Sequence, residues 1–235
     1  MRAGKIAVLA LGISALAGAA FANGRDIDDN FYTYYSFTNS GRTVAYFVCE
    51  QVGGCVAGDV LGKFKSACAL VEGAPVTNGN VVTRAIYIFD RGKKATDPTR
   101  LYVYQKTDTI NGSSDDVVVT LVQDIALGDT AGKSAHCTMA ATDAFVYAGT
   151  DVSGVWKVDK SSFAVAGTGF VGAASVTADE RGYITITDTE GIFEILNPGG
   201  GPLQMGGGRY FMANTHAAIV TGDGTSQRLA GAPDK

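Results

Sequence analysis

Residues 141–158 read ATDAFVYAGTDVSGVWKV, and residues 178–195 read ADERGYITITDTEGIFEI. Set one over the other at an offset of 37 residues, they share Ala141/Ala178, Thr150/Thr187, Asp151/Asp188 and Gly154/Gly191. Val155/Ile192, Trp156/Phe193 and Val158/Ile195 are conservative pairs. Both stretches run from a small polar start into a strand, turn at Thr-Asp, pass a Gly and end on an apolar-aromatic-charged-apolar strand. A recurrence at this period marks a repeat architecture, in which one supersecondary unit recurs because it cannot bury its apolar face alone.

Working outward, the same outline returns more weakly. Residues 84–90 (RAIYIFD) precede 101–106 (LYVYQK), residues 43–50 precede 60–65, and residues 216–221 (HAAIVT) turn at Gly222-Asp223-Gly224 into 226–229. About five hairpins result, with one wider interval filled by residues 113–130. Alternating runs rich in Tyr, Val, Ile, Phe and Thr (31–37, 43–49, 82–89, 101–106 and 117–122) are predicted strands. Asn39-Ser40-Gly41, Asn78-Gly79-Asn80, Asn111-Gly112-Ser113 and Asn197-Pro198-Gly199 separate strands as turns. Residues 60–71 fit a helical face and a strand face equally well, and are assigned as strand. The fold class is therefore all-β.

Gly154-Val155-Trp156-Lys157-Val158-Asp159 and Gly191-Ile192-Phe193-Glu194-Ile195 resemble the inner-strand pair of β-propeller blades, as in secreted quinoprotein-like and YVTN-like repeat proteins. The resemblance covers two blades well and three more weakly. It implies a propeller-like array of about five short blades around a channel, with a two-sheet β-sandwich as the alternative; it implies no cofactor.

The chain begins with an address. Arg2 and Lys5 form a positive start, residues 6–21 are apolar, and Ala20-Phe21-Ala22 has the small-x-small pattern of a signal-peptidase site. Residues 1–22 are predicted to be a signal peptide and 23–235 a single β-propeller-like domain, secreted, periplasmic or at the cell surface. Removing 22 of 235 residues leaves 213, and two basic residues leave with them, so the formal charge moves from −4 to −6. An acidic chain with scattered Lys and Arg lacks the basic stripe of a nucleic-acid binder. No later segment is apolar enough for a membrane-spanning helix.

Cys49, Cys55, Cys68 and Cys137 form an even set in an exported chain, and two disulfides are expected. Three pairings exist. One would staple Cys49 to Cys55 across a turn-like stretch and close a long loop with Cys68–Cys137. No CxxC occurs, and the spacing does not suit zinc.

Catalytic motifs are sparse. There is no Gly-x-Ser-x-Gly, and Gly132-Lys133-Ser134 lacks the glycine spacing of a phosphate loop. His136 and His216, the only imidazoles, lie 80 residues apart, close to two repeats. They are candidate ligand-binding residues, against the plainer reading of hydrogen-bonded or exposed strand starts. Asp26-Ile27-Asp28-Asp29-Asn30 and Asp115-Asp116, the latter assigned to a loop, read as solvated surface, with Ca²⁺ as the one candidate ion. Tyr32, Tyr34 and Tyr35 put aromatics on both faces of one strand, so one face could stack on a sugar or pack on a partner, unless strand propensity alone explains them. The sequence points to a non-catalytic module that binds a protein or carbohydrate partner or joins a cell-surface assembly, including with copies of itself. The alternative is a propeller enzyme acting on a sugar or small molecule in the channel.

Overall fold

The computed structural model describes residues 31–38, 40–50, 55–111, 114–128, 130, 132, 134, 136–179, 181–188, 192–201, 210–211, 215–222 and 227–233. The leader assignment over 1–22 and the acidic stretch 26–30 lie outside them, as do the side chains of Tyr32, Tyr34, Cys49, Cys55 and His216. Every regular element among the described residues is a strand, so the chain is all-β.

The strands form antiparallel sheets taken in chain order. The first sheet holds β1 (Phe31–Thr38), β2 (Thr43–Glu50) and β3 (Cys55–Leu61). The second holds β4 (Ala67–Glu72), β6 (Val81–Asp90), β7 (Arg100–Asn111) and β8 (Ser114–Ala126), with the short β5 (Val76–Asn78) added to β6. The third runs β9 (Cys137–Ala141), β10 (Phe145–Thr150), β11 (Gly154–Asp159) and β12 (Val165–Val171). The fourth runs β13 (Ala173–Ala178), β14 (Ile184–Asp188), β15 (Ile192–Leu196) and β16 (Tyr210–Phe211), and β17 (Thr215–Gly222) pairs with β18 (Gln227–Pro233). The 37-residue repeat corresponds to the β10–β11 and β14–β15 hairpins, the second and third strands of their sheets.

Period-2 alternation explains how the sheets stack. In β6, Ile86 and Ile88 enter one apolar cluster with Val44, Tyr46, Leu61 and Phe64 of the first sheet and its exit loop. Tyr87 and Phe89, pointing the other way, join Val146, Ala148 and Trp156 of the third sheet. Tyr147 then leaves that cluster and packs with Val176, Ile184 and Ile186 of the fourth sheet. Three apolar layers thus separate four sheets, and the central stretches of β6, β10 and β14 are buried on both faces. Strands β4, β9, β13 and β17 lie side by side in that order.

Cys68 on β4 is bonded to Cys137 on β9, with Cα atoms 5.9 Å apart, which ties the second sheet to the third. Cys49 and Cys55 stand directly opposite each other in the β2–β3 register.

Two sequence assignments need correction. Residues 60–71 are not one strand. β3 ends at Leu61 and β4 begins at Ala67, because Gly62 takes φ +58° and the chain turns so that Phe64 and Ser66 are buried. Asp115 and Asp116 belong to β8 rather than a loop, opposite Ile110 and Thr109, since β7 and β8 stay paired out to Asn111–Ser114. That extension also accounts for the wider repeat interval. β6, β7 and β8 have 10, 12 and 13 residues, against 5 to 7 in the third sheet. At roughly 3.4 Å per residue, the second sheet overhangs the third by about 20 Å.

Candidate functional site

The overhang makes a step, and a cleft of about 400 Å³ lies in it. Its floor comes from β6 and β7 through Thr83, Ala85, Tyr87, Val103 and Gln105, the same face that packs on the third sheet further along. Val122, the extra residue at a β-bulge where β8 passes β7, forms one wall. The far wall comes from the tight turns of the third sheet. Asp143 lies between β9 and β10, and Lys160 and Phe163 lie between β11 and β12.

The Lys160 turn is rigidly built. One oxygen of Asp159, Oδ1, accepts from the amides of Ser161 and Ser162 at 2.9 and 2.8 Å and from both of their hydroxyls. These four bonds hold the Asp159 carboxyl down at about 2. Phe163 donates its amide to the Asp159 carbonyl at 2.9 Å and sits at φ +58°. A bulky residue in the left-handed region is strained, and here its ring packs against the core while lining the cleft. Lys160 follows from the same geometry. Its amide binds the Ala144 carbonyl, and its ammonium lies 5.4 Å above the centre of the Tyr87 ring. Burial lowers its pKa, and the charge of Asp143 counters that only partly. Asp143 is exposed at the mouth.

On the opposite face of the second sheet lies a group of four charges, three of them buried and the fourth, Glu72, half-buried. Lys106 Nζ contacts Asp108 Oδ2 at 2.9 Å with both side chains essentially fully buried. Arg84, also buried, stands opposite Lys106 in the β6–β7 register. Tyr35, on β1, donates its hydroxyl to Glu72 Oε1 on β4. Burial pushes the Tyr35 phenol up, and Glu72 and Asp108 add to the effect. Two cations and two anions therefore balance between the first and second sheets, a structural arrangement that fixes how the sheets meet.

The residues singled out from sequence fall as follows. Tyr35 is half-buried against the first inter-sheet core, its ring 6.5 Å from that of the buried Tyr46. His136 is exposed and directly precedes β9, the first strand of its sheet; His216 lies at the start of β17, the first strand of its own. The backbone amide of His136 reaches Asp151 Oδ1 at 3.3 Å. A serine, a histidine and an aspartate meet at this point, but not as a nucleophile relay. Ser134 Oγ donates to Asp151 Oδ1 and lies 2.5 Å from both that oxygen and the His136 carbonyl, so its bonding is committed to holding the loop. Arg91 adds a bond to the Ser134 carbonyl. No group of three or more His, Cys, Asp or Glu is placed to hold a metal among the described residues.

The cleft was not legible from sequence. Its residues come from the strands of one sheet and from three separate connections, and the signal lay in the unequal strand lengths, visible as the wider repeat interval.

No family model matches the chain, and no curated protein matches it. Among solved structures it is similar to the crystal structure of Saccharomyces cerevisiae Sqt1, over 88% of this chain and 79% of that one, at 7% identity and a TM-score of 0.36. That likeness carries no argument about function.

Proposed function

We propose that this is an exported, non-catalytic binding module, built as a propeller-like array of antiparallel sheets, that takes a ligand in the cleft between its second and third sheets. The cleft carries this reading: a preformed concave site with apolar walls and a few polar groups is the usual form of a ligand site. The strained Phe163 on its wall supports it, because such strain concentrates where a surface is shaped for use. The leader pattern and the disulfide-bonded cysteines support export. The chain-order stack of sheets, with their first strands adjacent, supports the radial arrangement.

A panel of neutral sugars, amino-acid derivatives and short peptides, followed by NMR of the purified protein, tests the reading. Binders should shift Thr83, Gln105 and Phe163, and Val122→Trp, which fills the cleft from an exposed position, should abolish the shifts. Turnover of esters, glycans or lactones that is lost on His136→Ala would overturn the non-catalytic reading.

A further inference from the structure

Among the described residues that line the cleft, Lys160 is the one ammonium, and it is half-buried beside apolar walls. Among the described residues it makes no ion pair; its charge rests on the face of Tyr87. The other cation at the cleft, Arg84, belongs to the buried group on the far side of the sheet. A partly desolvated ammonium whose nearest carboxylate, Asp143, is exposed at the mouth and makes no ion pair with it is under-compensated, and a bound anion restores what burial removed. The rest of the cleft limits the size and charge of that anion. Ala85, Val122 and Phe163 offer apolar surface to the body of a ligand, and Gln105 and Thr83 offer hydrogen bonds. Asp143 at the mouth repels a second negative charge.

We propose that the cleft selects small monocarboxylates, with the carboxylate on Lys160 and a compact, partly apolar body against Val122 and Phe163. The inference rests on the reading of the cleft as a ligand site and adds the charge and its sign. Two sources share this chemistry, an acylated apolar amino acid and a uronic sugar.

The test is titration of the full chain, followed by NMR, with N-acetyl-leucine against N-acetyl-leucinamide and with glucuronate against methyl glucoside. Each acid is expected to bind about tenfold tighter than its neutral counterpart. Lys160→Met should erase that preference, and Lys160→Arg should keep part of it. The acid with the larger shifts at Val122 identifies the source. N-acetyl-aspartate, with a second carboxylate, should bind weakly to the parent protein and better to Asp143→Asn. Equal binding of acid and neutral partner, a preference that survives Lys160→Met, or no binding of either acid at about 10 mM would each overturn the proposal. Binding of a neutral sugar in the cleft without an acid preference would leave the cleft as a ligand site and remove only the charge selection. Unchanged Val44 and Ile184 resonances, in cores away from the cleft, establish that the variants fold.

Discussion

At Gly41 the chain has no room for a side chain. The residue sits at φ +77°, and a Cβ there would lie 2.2 Å from the Ala67 carbonyl oxygen, where the β1–β2 turn meets the start of β4. Gly41→Ala therefore combines a left-handed backbone penalty with a backbone clash, and should cost about 2 kcal/mol or more in denaturant unfolding. Lys106 and Asp108 pose the complementary problem. Removing one charge leaves the other buried, so Asp108→Asn or Lys106→Met should each lose about 3–5 kcal/mol. A double replacement by apolar residues should recover part of that loss, because it removes the desolvation cost of both charges. Asp159 gives a pH signature. Its folded pKa lies near 2, below the ordinary 3.8, so its contribution is complete above 3.8 and disappears as the pH falls through 2. Asp159→Asn should flatten that part of the stability–pH profile and loosen the Phe163 turn.

Between elements, the Cys68–Cys137 bridge closes a loop with a sequence separation of 69 residues. Constraint of the unfolded chain at that length is worth about 4 kcal/mol, so reduction should lower stability by that order. Peptide mapping under non-reducing conditions should also recover Cys49 linked to Cys55, since the register already sets them face to face. Several strands were legible in the sequence because their apolar residues alternate cleanly; β1, β2, β6 and β7 begin within a residue of the alternating runs. Residues 60–71 were not legible, because Phe64 is buried from a turn and so imitates the period of a strand. Asp115 and Asp116 misled in the opposite sense. Their charge suggested a loop, yet an outermost strand tolerates it, and charge on an edge discourages unwanted pairing. The cleft escaped detection because none of its residues forms a local motif. Lys160 and Asp143 become neighbours of Tyr87 only once two sheets of unequal length are stacked.

For the whole molecule, the repeat in the sequence corresponds to a repeat of hairpins, and the acidic balance is partly spent on local structure. Asp90 accepts from the amides of Lys65, Ser66 and Gly92, Asp97 from Lys93 and Lys94, and Asp179 from Arg181 and Tyr183. Carboxylates that a composition count treats as surface charge are turn fasteners. The leader reading predicts that the chain recovered from the exporting host starts at Asn23, which intact-mass measurement checks. A start at Met1 in exported material would refute it.

The both-face burial of β6, β10 and β14 has a kinetic consequence. The second and third sheets each draw a core from the sheet before and the sheet after, so cooperativity passes from neighbour to neighbour along the chain. An interior strand opens only when two layers part, whereas an outer strand such as β8 or β12 opens by fraying. Amide hydrogen exchange should therefore be slowest in β6 and β10 and fastest in β8 and β12. The disulfide joins the two sheets that own those slow strands, so its reduction should raise the exchange rates of both β6 and β10.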